Sequence, residues 1–117
     1  MFQCISVAHV DPAKVEAVLD AAKILAKETR VQHGNLSYNV VQPEGRSDIL
    51  VITERWETPE DFQGHVANAG MEGDPLNTFA KTMDPSCTAP PEIYPGIVLV
   101  YYKKDGTYQI SKRADGF

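Results

Sequence analysis

Residues Ile49–His65 read ILVITERWETPEDFQGH. The stretch opens on an unbroken apolar run, Ile49-Leu50-Val51-Ile52, and closes that run with Glu54 and Trp56. In an extended chain these two share a side, while Arg55 points to the other. Thr58-Pro59-Glu60-Asp61 then has the form of a helix start: a threonine cap, a proline in the first turn and an acid at capping-box distance. His65 follows on that helix. One strand, one turn and one helix thus bring an acid, an indole and an imidazole into one neighbourhood. Because the centre of this strand is apolar on both faces, both must be covered, whereas a small antiparallel sheet usually leaves one face wet. The few helices available cover one side. The expectation for the other is a second copy of the chain.

Upstream, Pro43-Glu44-Gly45-Arg46-Ser47 is turn chemistry, so Leu36–Gln42 is expected to pair antiparallel with the Asp48–Glu57 strand as a hairpin. Tyr38 and Asn39 lie on opposite faces of that strand, so at most one reaches a given pocket. Before it, Asp11-Pro12 starts a helix whose residues Val15, Val18, Leu19, Ala22, Leu25, Ala26 and Thr29 form one stripe, running to about Gln32. Gly34 supplies the left-handed exit. Phe2–Val10 reads as the first strand.

Downstream, Phe62, Val66 and Ala69 make a short apolar stripe with His65 beside it. Asp74-Pro75 starts a further helix that buries Leu76, Phe79, Ala80 and Met83. Residues 83–96 hold Pro85, Pro90, Pro91 and Pro95 and read as a proline-rich connector. Ile97–Tyr102 is the expected fourth strand, and the turn Lys104-Asp105-Gly106 returns the chain as a strand over Thr107–Lys112, giving a C-terminal hairpin over 97–112. Ala114–Phe117 is a frayed tail. The order is βαββαβ, an α+β ferredoxin-like sandwich with helices on one face of an antiparallel sheet. Pairing two bare sheet faces makes a dimeric α/β barrel. A length of 117 residues suits a single domain over 1–117.

The net charge is −5 and no Lys or Arg run exceeds two residues, which speaks against nucleic acid and anionic lipid as partners. No apolar segment is long enough to span a bilayer. The opening MFQCISVAH lacks a basic region followed by an apolar core, so a cytoplasmic protein is expected. Cys4 reads as a buried reduced thiol and Cys87 as a loop thiol; a disulfide between them is not favoured. Three histidines without HxH or HExxH spacing offer no metal site.

The long first helix, the following HGNLSYNV (Gly34, Leu36, Tyr38) and VITERWETPEDFQGH (Glu54, Trp56, His65) together resemble the antibiotic biosynthesis monooxygenase domain of the dimeric α/β-barrel superfamily, over roughly residues 2–83. The resemblance implies a homodimer and a cofactor-independent monooxygenase that acts on a small aromatic or quinol-type substrate. It leaves three alternatives: a haem-binding or haem-degrading dimer, a cofactor-free isomerase, and a non-catalytic small-molecule binder. The haem-degrading branch uses an Asn on the first strand, and Phe2–Val10 has none. A phosphosugar isomerase needs a cationic clamp, and Arg55 points away.

The catalytic candidates are His65 and Glu54; the substrate-binding candidates are Trp56, Tyr38, Asn39 and Phe62. His65 reads either as a general base or donor to a phenolic substrate, or as a helix histidine at the core edge bonded to backbone. Trp56 is a flat wall for a ring or a core anchor. Glu54 orients His65 or bonds a substrate hydroxyl, or belongs to an internal ion pair. In the oxygenase reading His65, aided by Glu54, deprotonates the substrate, and the anion reduces dioxygen directly without cofactor. Trp56 and Phe62 keep water away.

Overall fold

A computed structural model describes residues 1–111. The strands are β1 (Phe2–His9), β2 (Asn35–Val41), β3 (Ile49–Trp56), β4 (Glu92–Ile97), β5 (Val100–Tyr102) and β6 (Tyr108–Ile110); the helices are α1 (Val15–Thr29, after a 3₁₀ turn over Pro12–Lys14), α2 (Pro59–Val66) and α3 (Pro75–Ser86). The main sheet runs β2-β3-β1-β4, antiparallel throughout, as the ferredoxin-like order requires. β5 and β6 form a separate two-stranded ribbon.

Local chemistry sets the helix starts. Asp11 accepts from the Ala13 amide, Thr58 Oγ1 from the Asp61 amide, and Asp74 from the Leu76 amide, each ahead of a proline that has no amide to leave unpaired. Of the expected α1 stripe, Val15, Val18, Ala22, Leu25 and Thr29 are buried, while Leu19 and Ala26 are half-buried. Together with Ala8, Leu50, Ile52, Phe79 and Met83 the stripe builds the core between helices and sheet. Gly34 has φ +78°, and a side chain there would collide with Asp61.

The sheet has two different faces. Cys4 and Ala8 of β1 and Leu50, Ile52, Glu54 and Trp56 of β3 are buried beneath the helices. On the reverse, Val7 pairs with Val51 and Val51 with Val41, while Ile5 lies beside Tyr94. Ile5, Val41 and Tyr94 are 38%, 51% and 58% exposed, so this face is apolar and bare. Among the described residues no helix is long and apolar enough to cross a membrane.

Three expectations need correction. The proline-rich segment 83–96 is not merely a connector: α3 continues through Pro85 to Ser86, and Glu92–Ile97 is the edge strand β4. An edge strand needs partners on one side only, which is why Pro95 is tolerated opposite Cys4. Ile97–Tyr102 is consequently not the fourth strand. Ile97 ends β4, and Val100–Tyr102 pairs only with Tyr108–Ile110, leaving Val100, Tyr102 and Ile110 exposed. The readings for Lys112 and for Ala114–Phe117 lie outside the described residues. Finally, α2 is rotated relative to the expected stripe: His65 is buried and Val66 is 38% exposed. Phe62 and His65 are three residues apart and share a face, which packs on Trp56.

Candidate functional site

The buried face of β3 ends in an alternation of leucine, isoleucine, glutamate and tryptophan, so Glu54 enters an apolar layer by strand register alone. Its cross-strand neighbours are Cys4 on β1 and Tyr38 on β2. Two groups meet its carboxylate. The indole Nε1–H of Trp56 donates to Oε1 at 3.1 Å. The imidazole Nε2 of His65 stands 3.8 Å from the same oxygen, with both side chains almost fully buried. His65 is fixed from behind: its Nδ1–H donates to Gln32 Oε1 at 2.6 Å. That tautomer leaves the Nε2 lone pair facing Glu54, with no hydrogen bond of its own among the described residues.

The electrostatics follow from burial. Loss of hydration pushes the Glu54 carboxyl up to about 7, with the Trp56 donor pulling the other way. Burial likewise holds His65 below the ordinary histidine value, opposed by the charge of Asp74. Tyr38 is held well above the usual phenol range, first by burial and then by the negative charge of Glu54, so it remains a hydroxyl donor. The Cys4 thiol is also raised by burial, which keeps it protonated and unreactive.

A cavity of about 240 Å³ opens between this patch of sheet and α3. Glu54, Tyr38 and Ser6 line its sheet side, Leu76, Phe79, Ala80 and Met83 its helix side, and Asp84, Pro91 and Ile93 its outer part. Among the described residues none of the lining is cationic. Among the described residues the Tyr38 hydroxyl has no hydrogen-bond partner, and Ser6 Oγ has only the Cys4 sulfur at 4.0 Å. An enclosed space of about 150 Å³ suffices for a benzene ring, so this cavity suits one substituted ring.

The predicted site residues divide into three groups. Glu54 and Tyr38 face the cavity. Trp56, Phe62 and His65 lie outside its lining: Trp56 is wholly buried as a donor to Glu54, Phe62 packs edge-on against it at 6.4 Å, and His65 edges a separate surface depression with Gln32 and Asp61. Asn39 is exposed, paired with Thr53 on the bare face, and does not reach the cavity. Glu54, Trp56 and His65 therefore form one contact cluster, but only the carboxylate faces open space. The shared hollow expected from the sequence is thereby corrected to one behind which His65 stands. Ser6 and the α3 residues were missed. Ser6 carried a signal, as a hydroxyl on the same strand face as Cys4 and Ala8; the α3 residues read simply as core.

No group of three or more His, Cys, Asp or Glu side chains among the described residues could hold a metal ion. Haem does not fit either: the free nitrogen of His65 faces a carboxylate at 3.8 Å, and the cavity is too small for a porphyrin. Arg55 lies on the bare face, donating to Gln3 and sitting 5.9 Å from the Tyr101 ring.

Comparison with known proteins gives the following. The family model for antibiotic biosynthesis monooxygenases matches residues 1–73. Among solved structures, an antibiotic-biosynthesis-monooxygenase-type protein from Nitrosomonas europaea superposes with a TM-score of 0.75 at 21% identity, covering 85% of this chain and 99% of that one. A conserved protein from Methanosarcina mazei Go1 gives 0.72 at 21% identity, over 80% and 88%. Rv0793 from Mycobacterium tuberculosis gives 0.73 at 16%, over 84% and 94%. At these identities the likeness is one of fold. No curated protein sequence matches significantly.

Proposed function

The chain belongs to the antibiotic biosynthesis monooxygenase family, and from that premise we propose that it oxygenates a small phenol- or quinol-type ring, with Glu54 as the base and no cofactor required. The observation that carries this reading is a carboxyl group held near neutrality by burial, facing a largely apolar hollow of about 240 Å³. A base works best when its pKa lies near the operating pH. Glu54 takes a proton from the acidic carbon or hydroxyl of the substrate. Oε1 stays pinned by Trp56, which leaves Oε2 for the substrate. Tyr38 donates to a substrate oxygen. His65 positions Glu54, its Nε2 standing 3.8 Å from the Oε1 that Trp56 also holds.

The substrate anion supplies the electrons. It passes one to dioxygen, the radical pair combines at carbon, and the resulting peroxide anion takes back the proton from Glu54. Loss of water from the hydroperoxide leaves a carbonyl. In net terms a phenol and O₂ become a quinone and H₂O: one oxygen atom enters at the ring carbon that loses its hydrogen, and the other leaves as water with that hydrogen and the hydroxyl proton. Apolar walls of Leu76, Phe79 and Met83 keep bulk water from the peroxide.

The working form in this proposal is a homodimer joined through the bare sheet face, where Ile5, Val7, Val41, Val51 and Tyr94 are contiguous. Substrate-dependent oxygen consumption across a panel of hydroquinones and anthrone-like ketones tests the chemistry. Consumption should fall by at least about a hundredfold in Glu54→Gln, the scale of a lost general base. No uptake above buffer with any ring, or undiminished uptake in Glu54→Gln, overturns it.

A further inference from the structure

We infer that the cavity selects an uncharged, single-ring hydroxyl compound such as a 1,4-hydroquinone and turns away ring acids, and that Asp84 at its mouth is the specificity-determining residue; this rests on reading the cavity as the substrate site. The way in is marked by two residues. Asp84 and Pro91 line both the inner cavity and a broader surface depression with Cys87, Thr88, Ala89 and Pro90, so the inner space meets solvent between them. Asp84 is exposed there, in the last turn of α3, where the Asp84, Pro85 and Ser86 carbonyls already accept from the Cys87 amide, Lys14 Nζ and the Asp11 amide.

Inside, the other carboxylic acid is Glu54, and among the described residues no lysine, arginine or histidine lines either space. An entering carboxylate or phosphate therefore passes one negative charge and ends beside another, with no cation among the described lining residues; the Lys14 ammonium near the mouth is held on the Pro85 carbonyl and is not part of the lining. A neutral phenol meets the opposite conditions. Its ring is matched by Leu76, Phe79 and Met83, and its hydroxyls by acceptors at both ends, Glu54 within and Asp84 at the rim. The Ser6 and Tyr38 hydroxyls take up a ring oxygen.

Two ligands that differ only in charge provide the test: 1,4-hydroquinone and 2,5-dihydroxybenzoate, the same diphenol with a carboxylate. Their dissociation constants are measured anaerobically at pH 8 by saturation-transfer NMR titration, on wild type, Asp84→Asn and Asp84→Lys. Asp84 is exposed at a helix C-terminus, where lysine is favourable, so both variants fold. Wild type should prefer hydroquinone by about tenfold or more, the scale of one like-charge contact in a partly solvated site. Asp84→Asn should narrow the preference and Asp84→Lys abolish or reverse it. Equal wild-type affinities, or a ratio unmoved by Asp84→Lys, overturn the inference while leaving the oxygenase reading to oxygen uptake. Selective binding with no oxygen uptake sustains the inference and removes the oxygenase. Binding of neither ring overturns the inference and leaves the oxygenase reading to oxygen uptake with the wider panel.

Discussion

Glu54 is a poor residue for stability and a good one for proton transfer. Its folded-state carboxyl is raised from 4.5 to about 7, so the native protein binds more protons than the unfolded chain across that interval. The contribution of Glu54 to stability is therefore fully present below about 4.5 and is lost as pH rises through about 7. Glu54→Gln keeps an acceptor for Trp56 and removes the buried charge. It should leave stability nearly unchanged at pH 4.5 and raise it by about 3 kcal/mol at pH 8.5, read as a melting temperature higher by on the order of 10 °C. An activity-killing substitution that stabilises marks a residue retained for chemistry. His65 works with the opposite sign. Its pKa is lowered, so its contribution is present above about 6.5 and is lost as pH falls through the depressed value. His65→Gln should gain on wild type in melting temperature toward pH 5, and should shift the pH profile of activity without abolishing it, because His65 touches Glu54 and not the cavity. A uniform loss of activity at every pH would count against that positioning role. That an acid, an indole and an imidazole converge was legible in the period of two along β3 and one helical turn beyond. Which of them faces open space was not. That depends on α3, brought over Glu54 by long-range packing that no local pattern records.

Among the elements, α2 is short and is held by its start. Thr58 Oγ1 accepts from the Asp61 amide at 3.1 Å and donates to the Asp61 carboxylate at 2.9 Å, and that carboxylate also receives His33 Nδ1–H at 2.7 Å. Thr58→Ala should cost about 1 kcal/mol in chemical denaturation, and should loosen the helix that carries His65. Gly34→Ala combines a left-handed backbone with a collision against Asp61 and should cost about 2 kcal/mol or more. A cost for Gly34→Ala no larger than that of an exposed helix substitution would show that the Asp61 cluster does not fix α2. Elements with a clear period or a capped start (β1, α1, β2, β3, α3) were readable. β4 was not, because Pro95 reads as a strand breaker unless the strand is known to lie at an edge. The apolar Val100–Tyr102 attracted the strand assignment that belongs to Glu92–Ile97: greasiness is a guide to burial, and here Val100 and Tyr102 are 56% and 64% exposed.

For the whole molecule, the apolar centre of β3 predicted that both sheet faces need cover, and α1 and α3 cover one. The other, with Val7, Val51 and Val41 in adjacent register, is the proposed dimer face. Sedimentation at micromolar concentration should give twice the 12.9 kDa chain mass, and Val51→Asp, which places a charge at the centre of that face, should shift it to monomer. A monomeric wild type would remove the dimer.

The central claim is that a buried Glu54, poised near neutrality, is the base that starts the reaction with oxygen. The pH dependence of kcat/KM for substrate-driven oxygen uptake tests it most directly. In wild type the rate should climb about tenfold per pH unit below about 7 and level off above it, and the rise should vanish in Glu54→Gln. A profile that is flat from acid to alkali, or one that keeps its rise in Glu54→Gln, would contradict it.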